Sequence, residues 1–126
     1  MIGIDTNILV RAFLEDDAVQ AQTAQAFLKN NSIFISSYAI LEFAWVLKVK
    51  KFTRKEIYDA IITLVDSPSL TIGQREVITT ALEKYSKGKA DFGDYMIIAE
   101  GEQCSSRRFV TFDKVVLNEV KTATHP

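Results

Sequence analysis

Five acids stand at places where carboxylates can do chemistry. Asp5 ends the short apolar run Met1-Ile2-Gly3-Ile4, and Asp113 ends a second such run, Phe109-Val110-Thr111-Phe112. Glu42 is the single polar residue between Ala39 and Leu47, while Asp91 and Asp94 stand three apart in Lys89-Ala90-Asp91-Phe92-Gly93-Asp94. In an open α/β sheet, ligands sit beyond the carboxyl ends of the strands, so acids at Asp5 and Asp113 face the usual place of reaction. An ionised Glu42 within an apolar helix is unfavourable unless an Arg, a set of hydrogen bonds or a metal compensates it. Asp91 and Asp94 lie on one face of a first helical turn and can point at the same space. Each acid also has an ordinary explanation. Asp5 or Thr6 can cap the next helix, Glu42 can reach the surface or pair with a base, and Asp91 and Asp94 suit the positive end of a helix dipole.

The elements that must position these acids follow from periodicity. Strands are expected at about 2 to 5, 33 to 35, 70 to 72 and 109 to 112, with a last short one within 117 to 124. Helices are expected at about 7 to 14, 17 to 29, 37 to 50, 53 to 66 and 74 to 86, with another opening near Asp91. In the second helix Ala18, Ala21, Ala24, Ala26, Phe27 and Leu28 form the apolar face. The third is apolar nearly all round and should be mostly buried. Ser36 and Ser37 are its plausible caps, Thr53 and Glu56 make a capping box for the fourth helix, and Gly88 is placed to close the fifth. Met96, Ile97 and Ala99 read as core. The alternation of strands and helices argues for an α/β fold with a mainly parallel sheet. If the run ending at Phe112 lies beside the first strand, Asp5 and Asp113 emerge at one sheet edge.

Composition bounds the rest. A chain of 126 residues, 48% hydrophobic and 25% charged, fits one soluble domain with a real core. A formal charge of −1 neither favours nucleic acid nor excludes it, because a local basic patch can suffice. Residues 48 to 55 hold five bases in eight positions, a solvated helix end or a phosphate contact. The single cysteine, Cys104, permits no internal disulfide, suits a reducing cytoplasmic setting and reads as a buried thiol. No run approaches a membrane span and no signal core precedes the first strand, so the chain is expected to be mature from Met1. The only histidine, His125, argues against His-based acid–base cleavage, and no phosphate-cradling G-x-x-x-x-G-K-[ST] loop is present.

Taken in order, Asp5-Thr6-Asn7, Glu42, Asp91-Phe92-Gly93-Asp94 and Thr111-Phe112-Asp113 resemble the PIN domain, and more narrowly the VapC-type toxin ribonucleases of toxin–antitoxin pairs. The resemblance implies a Rossmann-like α/β/α sandwich over the whole chain as a single PIN domain. It implies an endoribonuclease dependent on Mg²⁺ or Mn²⁺, with Asp5, Glu42, Asp94 and Asp113 as the acidic cluster and Asp91 as an accessory ligand. Thr6, Asn7 and Thr111 would orient carboxylates or waters. Lys48, Lys50, Lys51, Arg54, Lys89, Arg107 and Arg108, with Lys55 and Lys87, are candidates for an RNA-facing rim. The implied partners are an RNA substrate, a separately encoded antitoxin and a second copy in a homodimer, with no membrane. One segment departs from the family pattern, Glu100-Gly101-Glu102-Gln103-Cys104-Ser105-Ser106-Arg107-Arg108, between the late helix and its strand.

Physical chemistry favours a cation in such a cluster. Two carboxylates about 4 Å apart repel by roughly 4 kcal/mol at an effective dielectric of about 20, so gathering several needs protonation or a positive ion. Oxygen ligands select Mg²⁺ or Mn²⁺ over Zn²⁺. The expected reaction is in-line attack of a metal-activated water on a phosphodiester. Two other readings stand beside it. One is a PIN-like module that binds RNA or protein without cleaving. The other is a phosphatase with Asp5 as covalent nucleophile, which wants an acid two residues on, where Asn7 stands.

Overall fold

A computed structural model describes residues 1–126. The chain divides into two compact units, Met1–Arg75 and Glu76–Pro126.

The first unit runs β1 (Ile2–Gly3), α1 (Thr6–Leu14), α2 (Ala18–Asn30), β2 (Ile33–Ile35), α3 (Ser37–Val49), α4 (Arg54–Asp66) and β3 (Leu70–Ile72). The three strands form one parallel sheet in the order β1-β2-β3, with Ile2 opposite Ile33, and Ile33 opposite Leu70. Parallel strands covered on both faces are built from runs such as Ile33-Phe34-Ile35, and Ile33 and Ile35 are fully buried. β1 is shorter than the run 2 to 5 suggests, although the Ile4 amide still donates to the Phe34 carbonyl at 3.4 Å.

Helix α3 packs against α1 and α4 and buries Ala39, Ile40, Phe43, Ala44 and Leu47. Ile40 and Leu47 have no exposed surface, and burying such side chains contributes roughly 1.5–3 kcal/mol each. The expectation that this helix is buried nearly all round is corrected: Tyr38, Glu42, Trp45 and Val49 face solvent. Its apolar composition exceeds what one buried stripe requires. Ser36 caps the helix by accepting from the Tyr38 amide at 3.2 Å. At the other end the Phe52 amide donates to the Leu47 carbonyl and the Lys51 amide to the Lys48 carbonyl, both at 3.0 Å. These paired bonds close a helix through a left-handed residue, commonly glycine, and here Lys51 holds that place with φ 70°. The capping box of α4 is present, with Thr53 accepting from the Glu56 amide and Glu56 from the Thr53 amide. In α2 only Ala21 and Ala24 are buried; Ala18, Ala26 and Phe27 are exposed.

The second unit holds most of α5 (Arg75–Lys87), then α6 (Phe92–Gln103), β4 (Phe109–Val110), α7 (Lys114–Glu119) and β5 (Ala123–Thr124). β4 and β5 form a parallel two-stranded ladder. Residues 114 to 119 were not expected to be helical. A cap at Asp113 starts this helix and leaves only Ala123–Thr124 to the strand. Tyr85, Phe92 and Tyr95 form an aromatic core, with the Tyr85 and Phe92 rings edge to face at 5.8 Å. Met96 and Ala99 are buried as expected, but Ile97 is 59% exposed and Cys104 is exposed rather than buried.

Candidate active site

Asp5 stands at the N-cap of α1 in extended backbone, φ −91° and ψ 176°, yet its carboxylate makes no capping hydrogen bond. Thr6 is the first helical residue. An acid in this position ordinarily accepts from an amide of the first turn, so the structural explanation for Asp5 is not in use. Asp5 and Asn7 are exposed and Thr6 half-buried. Asp5 and Asn7 border an open groove of about 710 Å³ lined also by Ile4, Ile8, Thr23 and Phe27. Because β1 and β2 are parallel neighbours, Asp5 and the start of α3 leave the same edge of their sheet. Glu42 lies in the second turn of α3 with its side chain exposed.

In the second unit, Asp91 precedes α6 and its amide donates to Asp94 Oδ2 at 3.3 Å. Asp91 is exposed and Asp94 half-buried. Asp113 is a working cap: its Oδ1 accepts from the Val115 amide at 2.8 Å and from the Val116 amide at 3.2 Å. The Asp113 amide in turn donates to Thr111 Oγ1 at 3.0 Å, which fixes the turn carrying the acid.

The loop before Asp91 is held by a device that sequence reasoning missed. Glu119, the last residue of α7, accepts from the Lys89 amide through Oε1 at 2.8 Å and from the Tyr95 hydroxyl through Oε2 at 2.5 Å. Tyr95 Oη also accepts from the Ala90 amide at 3.1 Å. Gly88 is needed for this approach, since a Cβ there would overlap Glu119 and Tyr95. Its role is close packing rather than the left-handed cap expected, as its φ is not positive. No local pattern announces a bond between residues 24 or 30 positions apart.

Among the bases, Lys48, Lys50 and Lys51 are exposed at the end of α3, and Arg54 opens α4 half-buried. Lys89, Arg107 and Arg108 are exposed. Lys55 pairs with Asp59 at 3.1 Å and Lys87 with Glu83 at 3.3 Å, each across one helical turn.

The donor chemistry suits a hard divalent cation. All five acids offer carboxylate oxygens, the ligands that Mg²⁺ and Mn²⁺ prefer, and Asp5 keeps its carboxylate out of capping. Asp5 and Glu42 belong to the first unit, and Asp91, Asp94 and Asp113 to the second. No helix is long and apolar enough to cross a membrane.

Comparison with known proteins addresses the family directly. A VapC ribonuclease of Aquifex aeolicus (strain VF5) is 22% identical over 117 residues, covering 88% of this chain and 86% of that protein. The family model for the PIN domain matches residues 2–122, running through both units and through every acid described above. With nearly its whole length matched, the chain belongs to the PIN-domain family.

Proposed function

We propose that this PIN domain is a VapC-type endoribonuclease, the toxin half of a toxin–antitoxin pair, in which Asp5, Glu42, Asp94 and Asp113 bind Mg²⁺ or Mn²⁺ and Asp91 assists. The observation that carries the reading is Asp5, an exposed acid in a capping position that performs no capping. The similarity to a VapC ribonuclease supports the same direction. When bound, the cation supplies an activated water and positive charge beside the phosphate. The protein's own groups hold and orient. Asp5 and Glu42 present carboxylates from one sheet edge and the helix that follows it, and Thr111 fixes the turn that carries Asp113. Thr6 and Asn7 steady Asp5 and its waters. The water oxygen bonds to phosphorus, one P–O ester bond breaks, and the departing oxygen takes a proton. Lys48, Lys50, Lys51, Arg54, Lys89, Arg107 and Arg108 serve as the RNA-facing rim. The reading takes the whole chain as a single domain acting in the cytoplasm, with a homodimer and an antitoxin as its protein partners.

Cleavage of structured RNAs with Mg²⁺, Mn²⁺ or EDTA tests it. Asp5→Asn and Asp94→Asn are expected to lower metal-dependent cleavage by more than about 100-fold, beyond the usual effect of disturbing a group that merely supports a ligand. Equal cleavage by parent and both variants would sink the assignment. A binding module without cleavage is the second reading. RNA retention with no metal-dependent product would select it.

A further inference from the structure

Three consecutive amides ahead of α6 each donate to a side-chain oxygen. The Lys89 amide reaches Glu119 Oε1 at 2.8 Å, the Ala90 amide Tyr95 Oη at 3.1 Å and the Asp91 amide Asp94 Oδ2 at 3.3 Å. The acceptors are themselves linked, because the Tyr95 hydroxyl donates to Glu119 Oε2 at 2.5 Å and Tyr95 directly follows Asp94 in α6. A bond of that length from a hydroxyl to an ionised carboxylate is of the strong, charge-assisted kind. Tyr95 and Ala90 are buried, so this part of the network is screened from water. Glu119 itself is exposed and is the last residue of α7, the helix that Asp113 opens. A carboxylate there opposes the helix dipole, so α7 gains nothing from it. What the carboxylate holds is the turn before α6.

We propose that Glu119 is a positioning residue for Asp94. Through the Lys89 amide and the Tyr95 hydroxyl it fixes a turn whose next amide, that of Asp91, orients the Asp94 carboxylate. A carboxylate already set in one orientation gives up less side-chain freedom when it binds a cation than one that must first be ordered. The proposal deepens the ribonuclease reading and rests on it for the cation. Groups that orient a metal ligand without touching the metal change affinity by roughly 10- to 100-fold when removed. The competing explanation is that Glu119 only ties α7 to α6. A tie of that kind contributes stability and leaves the setting of Asp94 unchanged.

Glu119→Ala, Glu119→Gln and Tyr95→Phe test it, with folding checked by circular dichroism and melting temperature. In EDTA, hydrogen exchange at the Asp91 amide, which donates to Asp94 rather than to Glu119, is expected to accelerate in Glu119→Ala together with Lys89 and Ala90. Faster exchange at Lys89 and Ala90 with Asp91 unchanged overturns the proposal, since the Asp94 carboxylate is then oriented without Glu119. Titration with Mn²⁺, followed by the paramagnetic resonance of the free ion, is expected to show affinity lower by roughly tenfold or more in Glu119→Ala and Tyr95→Phe. Glu119→Gln keeps an acceptor oxygen for the Lys89 amide and should fall between the parent and the alanine variant. Parental Mn²⁺ affinity in both Glu119→Ala and Tyr95→Phe reduces Glu119 to a structural tie and overturns the proposal. Should Glu119→Ala fail to fold, Glu119→Gln and Tyr95→Phe carry the same two measurements. The two readings fail separately. Mn²⁺ binding that is absent in the parent, or insensitive to Asp94→Asn, removes the metal assignment alone, and exchange at Asp91 still decides the role of Glu119. Binding that Asp94→Asn weakens but Glu119→Ala and Tyr95→Phe leave intact removes the positioning role alone.

Discussion

Asp5 and Asp113 occupy the same kind of position, the N-cap of a helix, and use it in opposite ways. Asp113 accepts two amides of its first turn, while Asp5 accepts none. Removing the carboxylates should therefore separate structure from chemistry. Asp113→Ala is expected to lower stability by about 1 kcal/mol through the lost cap, or about 4 °C in melting temperature. Asp113→Asn, still an able cap, should keep that stability. Asp5→Ala is expected to stay within about 0.5 kcal/mol of the parent. Thermal unfolding in EDTA checks all three, and a large loss for Asp5→Ala would reveal a structural role. In the sequence these two residues look alike, each an acid after an apolar run. Only the hydrogen bonds distinguish them, and those depend on backbone angles that residue types do not specify. Glu42 was legible as the odd residue of its helix, but its direction was not, because an apolar helix does not declare which stripe it buries.

Elements whose signals are local were read well. The run Ile33-Phe34-Ile35, the Thr53–Glu56 capping box and the helix after Asp91 all depend on residues within a turn or two of each other. Helix α7 was missed because its start is set by a single cap at Asp113, and six residues carry too little periodicity to show it. The Glu119 clamp was illegible for the same reason in stronger form, since it joins the end of α7 to the loop before α6. That clamp makes Gly88 a sensitive position. Gly88→Ala should displace Glu119 and Tyr95 and destabilise the second unit by about 1–3 kcal/mol, the usual range for overpacking. Hydrogen exchange at the Lys89 and Ala90 amides should accelerate together, while the amides of β2 and β3 keep their protection. Unchanged exchange at Lys89 would show that the loop is held by other means.

At the scale of the whole molecule, charge is local rather than global. A net charge of −1 supplies no long-range attraction for RNA, so on the proposed ribonuclease function affinity must come from a few placed bases. If about three phosphates are contacted, the logarithm of affinity should fall by about 2 per decade of salt for a single strand. Raising salt from about 50 to 200 mM then weakens binding by roughly 20-fold. A much steeper dependence would require contacts along a broader basic surface than the end of α3. The family match, from residue 2 to 122, crosses both compact units, so the family was legible along the whole chain, while distances between acids far apart in sequence were not.

The residue that closes α3 carries a further consequence. Lys51 stands with φ 70° where glycine would be at ease, and a side chain in that region gives up about 1 kcal/mol or more of conformational ease. Lys51→Gly should therefore raise the melting temperature or leave it level, while RNA binds less tightly for want of the ammonium group. In that case the protein is less stable than its own backbone would permit at this position, and the ammonium group is kept at the cost of an easier turn.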